Sequence, residues 1–358
     1  MTDQAYKEMI RSIIVPANLS VQEQMDRYQP LTEFLQAETP EQLYRFRRCN
    51  EWSIFAFDQD QLGVTPGYKM NDDFDSLLCF DKGQVKDQLQ HLGDDPKIIQ
   101  KLTEYIGPAD SSQITMLMNR AYNSMIQQIE ENPVYFGSLI QQTIKFACFS
   151  EDVSSAAMWG YYADSSQGFA LSYDFRNGNY TVCDSCKTKF QCPTSKSCTF
   201  ARVIYDNVRF DATPYAAWLF QRAMLQRIII EKNLHFLWNY FENLLPCPDL
   251  FMITKVLLHK ASAWRHEREW RLICTCNSPD FMQQEFPYAT KRPTALYLGR
   301  KIKPIYEKIL RHIAVEKNIP VYKMALRNYE SSYKLYPEGI LNGFLQSYFF
   351  PQQQLIVH

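Results

Sequence analysis

The sequence has few glycines and none of the common glycine-rich phosphate loops. Twelve glycines occur in 358 residues. Their positions form neither the GxGxxG pattern of dinucleotide-binding folds nor the GxxxxGK(S/T) pattern of P-loop proteins. The patterns HExxH and GxSxG are also missing. These absences exclude Rossmann, P-loop, zincin and nucleophile-elbow chemistry in their usual forms.

Excess charge of one sign and long apolar runs are lacking too. Lysine and arginine number 38 against 39 acidic residues, so no global field draws the chain to DNA or to an anionic membrane. The apolar patch Ile13–Ala17 is too short for an export signal, and the most apolar stretch, AWLFQRAMLQRIII, is interrupted by arginine. We therefore expect a cytoplasmic protein without membrane contact, which could form homo-oligomers.

Cysteine is plentiful for a chain that carries no secretion signal. Of the ten cysteines, four lie close together in VCDSCKTKFQCPTSKSC as Cys183, Cys186, Cys192 and Cys198. Zinc favours four thiolates in a tetrahedron, and a CxxC turn supplies two of them. We predict a structural zinc insertion over 180–200. The alternatives are a redox-labile segment without metal, or two disulfides in an oxidising compartment.

The pattern of apolar residues predicts an α+β fold with a mixed, mostly antiparallel sheet of seven or eight short strands and inserted helices. We predict one elaborated domain over 1–358, with a helical cap over 84–143 and a helical hairpin over 213–264. Ser20 to Glu23 has the form of a capping box that begins a helix. Strands are predicted at Leu43–Arg47, Trp52–Phe57, Ile144–Ser150, Gly168–Phe175, Phe200–Tyr205, Glu269–Thr275 and Ala295–Gly299.

Several uncommon motifs carry a resemblance to a known family. They are LYRFR, KMNDDFD, the stretch from Phe149 to Phe175, KASAWRHEREWRL and, more weakly, YLGRKI. Together, from residue 43 to about 325, they resemble a bacterial family of unknown function, the domain-of-unknown-function family 2971. The family name implies no reaction, so the chemistry has to come from the residues.

The segment WRHEREWRL holds two carboxylates with a spacing of two residues. On a strand, Glu267, Glu269 and Arg271 would share one face. This pair is similar to the E-x-E strand of ADP-ribosyltransferases, in which the second glutamate holds the nicotinamide ribose and the first prepares the acceptor. A basic residue on an early strand and a serine on a middle strand complete that arrangement, and Arg45 and Ser150 match these in order.

This resemblance implies an ADP-ribosyltransferase-like fold and NAD as the substrate. A carboxylate at Glu269 would stabilise the oxocarbenium-like state that forms when the nicotinamide–ribose bond breaks. The guanidinium of Arg45 matches phosphate oxygens, and Arg271 is assigned to cofactor binding with it. Trp159 or Tyr162 could stack on the nicotinamide.

Each of these residues also has a structural interpretation. The strand EREWR could be a solvated edge with ion pairs, and Arg47 is as good a candidate as Arg45. Ser150 could cap the following helix, and Trp159 and Tyr162 could be core residues.

Three function classes follow. The first is an NAD-consuming enzyme that acts by ADP-ribosyl transfer to a protein or nucleic-acid acceptor or by NAD hydrolysis. A role as a toxin or phage-defence effector would fit this class. The second is a non-enzymatic, zinc-stabilised module that binds nucleic acid or protein. The third is a metal-dependent phosphodiesterase that uses Asp72, Asp75, Glu267 and Glu269. For Asn71, Asp72 and Asp75, the alternative to metal binding is capping of their own backbone amides.

Overall fold

The computed structural model describes residues 1–106, 111–132, 134–176, 197–275 and 288–340. Its α-helices are Asp3–Ser12 (α1), Val21–Glu38 (α2), Glu51–Asp58 (α3), Lys82–Gly93 (α4), Pro96–Ile106 (α5), Ser111–Glu131 (α6), Tyr135–Thr143 (α7), Ala156–Tyr161 (α8), Thr213–Glu231 (α9), Trp238–Leu244 (α10), Met252–Leu258 (α11) and Pro304–Glu316 (α12). Among them, no helix is both long enough and apolar enough to cross a bilayer.

The strands are mostly short. They are Leu43–Arg47 (β1), Gln61–Gly63 (β2), Thr65–Pro66 (β3), Lys145–Ser150 (β4), Phe169–Tyr173 (β5), Ser197–Arg202 (β6), Ile204–Asp206 (β7), His259–Ala261 (β8), Glu269–Thr275 (β9), Tyr288–Thr290 (β10), Ala295–Leu298 (β11), Val321–Ala325 (β12) and Tyr336–Ile340 (β13). The described stretches therefore hold more strands than the seven or eight predicted, because strands of two or three residues are too short to leave an alternating pattern. The fold is α+β, with a mostly antiparallel open sheet, as predicted.

The chain divides into two compact units. The first unit is Met1–Thr39, Gly63–Cys148 and Thr181–Ala289, and the second is Pro40–Leu62, Phe149–Tyr180 and Thr290–His358. Compact units describe packing within the chain and not independent folding. The single-domain prediction therefore stays a prediction.

In the first unit, helices are packed with short sheet segments. Strand β9 lies between β4 and β6, and β6 pairs with it antiparallel. Strands β7 and β8 form a separate parallel pair. Trp270 of β9 is completely enclosed, with ring centroids 5.3 Å from Phe200 and 6.1 Å from Phe34. Aromatic packing thus anchors β9, which carries Glu269.

In the second unit, the strand order is β13-β12-β11-β5-β1, and Tyr44 of β1 pairs with Ser150 at the end of β4. The β11–β12 pair is parallel, and the others in this unit are antiparallel. Trp159 of α8 is fully buried in the core, and its ring meets Phe46 edge to face at 5.2 Å.

Local sequence signals explain several helix ends. Ser20 and Glu23 form the predicted capping box at the start of α2. Ser155 caps helix α8, and its hydroxyl accepts a hydrogen bond from the backbone N–H of Met158. Ser150 is therefore not the cap of this helix.

Two predicted elements differ from the structure. Residues Trp52–Phe57 were expected as a strand, but they lie in α3, because Asn50 accepts the Ser53 N–H and so begins a helix. The second helix of the predicted hairpin ends at Leu258, because His259–Ala261 pair with β7 instead.

Candidate functional site

Five charged side chains of the first unit meet in a buried cluster, which we call the ion network. It consists of Asp75, Lys260, Glu267, Glu269 and Arg271. Each of these residues is at most 7% exposed. Charged residues are rarely buried unless they are paired, so this cluster is the most unusual chemical feature of the first unit.

Arg271 is the centre of the ion network. Its Nε donates to Glu269 Oε1 at 2.7 Å, and its Nη2 donates to Glu269 Oε2 at 3.1 Å and to Asp75 Oδ2 at 2.6 Å. Its Nη1 donates to Asp75 Oδ1 at 2.8 Å and to the Leu257 carbonyl at 2.5 Å. A guanidinium has five N–H donors, and these bonds use all of them. Arg271 thus has no N–H left for a phosphate in this arrangement.

Lys260 joins the two glutamates. Its Nζ lies 2.5 Å from Glu267 Oε2 and 3.0 Å from Glu269 Oε2. Asp75 Oδ2 is 3.8 Å from the same nitrogen. With Arg271, the network contains two formal positive charges and three formal negative charges, so it holds one negative charge in excess.

The charges of the network keep Glu269 ionised. Burial by itself would raise the pKa of this carboxyl, but the neighbouring charges of Arg271 and Lys260 lower it below its usual range. For Lys260, burial opposes the charge, and the attraction of Glu269 and Glu267 outweighs it, so its pKa is raised. Paired charges in a dry environment therefore stabilise each other's charged form.

Uncharged groups surround the pair formed by Glu269 and Arg271. The backbone N–H of Glu269 donates to the hydroxyl of Tyr205 at 2.8 Å. The guanidinium carbon of Arg271 lies 4.6 Å from the ring centre of Phe146. Burial, and next the charge of Glu269, raise the pKa of the Cys148 thiol. Cys148 is therefore kept as a thiol and not as a thiolate nucleophile.

Glu267 and Glu269 do not share a strand face, as the sequence suggested, but are bridged by Lys260. Glu267 was expected on the same strand as Glu269. Instead, it ends a 3₁₀-helix, Ser262–Glu267, and Arg268 follows in the left-handed conformation with φ 45°. Strand β9 begins only at Glu269. The prediction of a shared strand face was wrong for Glu267, because the reversal at Arg268 breaks the alternation, yet Lys260 brings both carboxylates together.

The other residues predicted for NAD binding belong to the second unit. Arg45 on β1 is 6% exposed, and its guanidinium carbon lies 5.6 Å from the ring centre of Phe149. Ser150 is buried, and its hydroxyl accepts the Asp152 N–H at 3.3 Å. The assignment of Arg45 and Ser150 to NAD binding stays a prediction.

The aromatic candidates are packed in the second unit. Trp159 donates its indole N–H to the Val153 carbonyl at 2.6 Å and is wholly buried. Tyr162 is half-buried against the same core. These contacts favour the core interpretation of Trp159, because a stacking platform needs one open ring face.

In the acidic turn around Asp72, the side chain of Asp72 caps a backbone amide of the turn, which was the alternative to metal binding. Asp72 Oδ1 accepts the Phe74 N–H at 3.0 Å, and both oxygens of Asp75 are bonded to Arg271. Within the described stretches, no group of three or more His, Cys, Asp or Glu side chains is placed to hold a metal. Asp75, Glu267 and Glu269 are ion-paired with Lys260 and Arg271, an arrangement that suits a buried ion cluster better than a divalent cation.

The predicted zinc ligands are mostly outside the described residues. Cys183, Cys186 and Cys192 lie in the gap between residues 176 and 197. For Cys198, the backbone is described in β6, where it pairs with Cys274 of β9. The zinc insertion stays a prediction.

Sequence reasoning missed how the network residues act together. The sequence suggested Asp75 as a metal ligand and gave no partner for Lys260, whereas they are ion-pair partners of Arg271 and the two glutamates. The sequence predicts no chemical role for Tyr205 or Cys148. The available signal was that KMNDDFD and KASAWRHEREWRL each contain several charged residues among apolar ones, but a single sequence does not say which charges meet.

His259 gives the first unit a pH-dependent contact. Its Nε2 accepts the Arg11 Nε–H at 3.1 Å, and its Nδ1 lies 2.6 Å from the Lys255 carbonyl, so the neutral ring with a proton on Nδ1 fits both partners. Burial, reinforced by the nearby charge of Arg11, lowers the pKa of His259 to about 4. Protonation would therefore remove the acceptor for Arg11.

We expect this contact to make stability depend on pH between 7.5 and 5. The unfolded chain takes up a proton near pH 6.5 and the folded chain only near pH 4. The contribution is therefore complete above pH 6.5 and is lost as the pH falls. Between pH 7.5 and pH 5, the free energy of unfolding should fall by about 2 kcal/mol more in the natural chain than in His259→Gln.

Urea unfolding at the two pH values measures this effect. His312→Gln is the matched control, because His312 is an exposed histidine with a side chain 76% accessible. The control should keep the pH dependence of the natural chain. A His259 ring that titrates near pH 6.5 by NMR would contradict the prediction.

The comparisons with known proteins name a family but no activity. Residues 158–272 match the family described as "Protein of unknown function (DUF2971)". This range includes the last four residues of α8, the whole of α9 and most of the ion network, and it is shorter than the stretch from 43 to about 325 that the motifs suggested. No curated protein and no solved structure matches the chain. The resemblance to ADP-ribosyltransferases thus has no support from the comparisons.

Proposed function

We propose that the chain is an NAD-consuming enzyme in which Glu269 stabilises positive charge on the ribose as the bond to nicotinamide breaks. The observation that carries the proposal is the state of Glu269, which is 3% exposed and has a pKa held below the usual range. A carboxylate that remains ionised away from water exerts a strong field on a developing cation. This is what an oxocarbenium-like transition state needs.

The grouping of three carboxylates in the ion network supports the same chemistry. Three carboxylates face two cations, and Glu267 and Glu269 share Lys260. These carboxylates would attract a cationic transition state beside them. The nicotinamide ring carries the positive charge in bound NAD and the ribose carries it in the transition state, so carboxylates beside the ribose favour the transition state over the bound substrate.

The proposal requires the short 3₁₀-helix Ser262–Glu267 to move. Glu267 and Glu269 are both 3% exposed, so a substrate reaches them only when a covering segment opens. A 3₁₀-helix has poorer hydrogen-bond geometry than an α-helix, which makes this segment the best candidate. Water as the acceptor would give NAD hydrolysis, and a protein or nucleic acid would give ADP-ribosyl transfer.

Nicotinamide release from NAD tests the proposal. The full chain is incubated with NAD, and free nicotinamide is measured by chromatography. Glu269→Gln keeps the shape and removes the charge, so it should lower the rate by about 10² to 10³. Glu316→Gln is the control, since Glu316 is an exposed carboxylate, 60% accessible, and it should leave the rate unchanged.

Two further measurements separate lost chemistry from lost fold. Thermal unfolding of Glu269→Gln shows whether the variant is folded, and Glu269→Asp, which keeps the charge, should retain more of the rate than the glutamine variant. The proposal is wrong if the natural chain releases no nicotinamide above the buffer rate, or if folded Glu269→Gln works as fast as the natural chain.

A further inference from the structure

A cavity of about 430 Å³ lies in the first unit at a different place from the ion network. One wall is formed by Lys7 and Arg11, which are four residues apart and so lie on the same face of α1. The other wall is the segment from Asp206 to Asp211, which joins the end of β7 to α9. This volume falls within the range of small-molecule sites and is larger than a bare phosphate ion needs.

The charged side chains in the wall leave the cavity positive. Lys7, Arg11 and Arg209 provide three cations against Asp206 and Asp211. Both acids already accept bonds from the protein. Asp206 pairs with Lys7 at 2.5 Å and with Arg11 at 3.1 Å. Asp211 accepts from the backbone N–H of Thr213 at 2.9 Å and from its hydroxyl at 2.5 Å.

The two arginines keep donors that no described residue accepts. Arg11 uses its Nε for His259 and one N–H of Nη2 for Asp206. Arg209 uses Nη2 for the Leu77 carbonyl. Within the described part of the chain, Nη1 of Arg11 and both Nε and Nη1 of Arg209 have no hydrogen-bond acceptor. These planar groups match the oxygens of a phosphate, and each can give it two parallel bonds.

Aromatic contacts hold Arg11 in position. Its guanidinium carbon lies 5.7 Å from the ring centre of Phe210, and that ring lies 4.7 Å from the ring of His259. The hydrogen bond from Nε to His259 fixes the plane of the guanidinium. A cation that is already ordered loses less entropy when it binds an anion.

We propose that this cavity binds the phosphate group of a phosphorylated small molecule of about nucleotide size. Arg11 and Arg209 hold the phosphate from the two walls, and Lys7 adds a third positive charge. The remaining volume takes the organic part of the ligand. The site needs both walls, the one from α1 and the one from the segment before α9. The family match covers the segment before α9 but not α1.

This site is separate from Glu269. Strands β7 and β8 are paired with Tyr205 opposite Lys260. Successive side chains on a strand point to opposite faces, so Asp206 and His259 face the cavity side and Tyr205 and Lys260 face the ion network. The contacts agree, because Tyr205 and Lys260 both reach Glu269. The inference therefore does not depend on the proposed reaction.

Titration calorimetry on the full chain tests the site with three probes at low salt: adenosine monophosphate, inorganic phosphate and adenosine. Both phosphate compounds should bind, the nucleotide more tightly, and adenosine should not. Arg11→Gln and Arg209→Gln should each weaken nucleotide binding by about tenfold or more, because each removes charged hydrogen bonds. Arg300→Gln is the matched control, since Arg300 is an exposed arginine of the second unit, and it should bind like the natural chain.

The results that would overturn the inference are specific. They are the absence of binding by both phosphate compounds, adenosine binding as tightly as its monophosphate, or unchanged affinity in both arginine variants. Arg209→Gln also loses the hydrogen bond to Leu77, so its thermal unfolding is measured without ligand. Arg209→Lys keeps the charge, and its affinity for the nucleotide should lie between those of the natural chain and Arg209→Gln. Glu269→Gln should bind the monophosphate normally, which separates this test from that of NAD cleavage.

Discussion

Replacing Arg271 with alanine is expected to lower the free energy of unfolding by about 3 to 5 kcal/mol. The substitution removes five hydrogen bonds and leaves Asp75 and Glu269 buried with only Lys260 to balance them. A buried carboxylate without a partner has to take up a proton or draw in water. We expect the largest loss at neutral pH, where both carboxylates are charged.

Urea unfolding compares this variant with two others. Arg265→Ala is the matched control, because Arg265 is an exposed arginine six residues earlier, and its loss should stay within about 0.5 kcal/mol. Arg271→Lys keeps the charge but not the planar fork, so it should remain well below the natural chain. If Arg271→Ala is as stable as Arg265→Ala, the ion network contributes nothing to the fold.

The second large effect is expected at Gly168, where a β-carbon has no room. A β-carbon there would lie 2.0 Å from the carbonyl oxygen of Arg47 and 3.0 Å from that of Ala163. Both neighbours are backbone atoms, so no side-chain rotation relieves the contact. The preceding residues Asp164 to Ser166 are already in the left-handed conformation, with φ of 50°, 54° and 70°. We expect Gly168→Ala to destabilise the protein by about 3 kcal/mol or more.

Gly160→Ala is the matched control for this prediction. Gly160 lies in α8, and a β-carbon there would have nothing within 4 Å. Because alanine is the better helix former, Gly160→Ala should leave stability unchanged or raise it by up to about 1 kcal/mol. The tight approach at Gly168 is refuted if the two alanine variants unfold at the same urea concentration.

Much of the fold could be predicted where short-range patterns act alone. The capping box at Ser20 and the strand LYRFR follow from neighbouring residues, and both are present. The segment Trp52–Phe57 was misassigned, because its aromatic content favours a strand while the cap at Asn50 begins a helix. His259–Ala261 could not be foreseen as a strand, since its partner β7 lies more than fifty residues away.

The candidate site was predictable only as a set of residues. Glu267, Glu269 and Arg271 stood out by their spacing of two residues, and all three are in the ion network. That Arg271 would bind Asp75, from the motif KMNDDFD almost two hundred residues earlier, has no counterpart in local spacing. The cationic cavity was missed for the same reason, because Lys7 and Arg11 are far along the chain from Arg209.

The amino-acid order by itself determined the helix caps, several strands, the absence of glycine-rich phosphate loops and the choice of residues that carry charge into the core. Tertiary structure decided which charges are neighbours, and so which acid stays ionised and which arginine keeps donors for a ligand. The reason is physical: hydrogen bonds of caps and helices act within a few residues, whereas the energy of a buried charge depends on every group packed around it, from whichever part of the chain it comes.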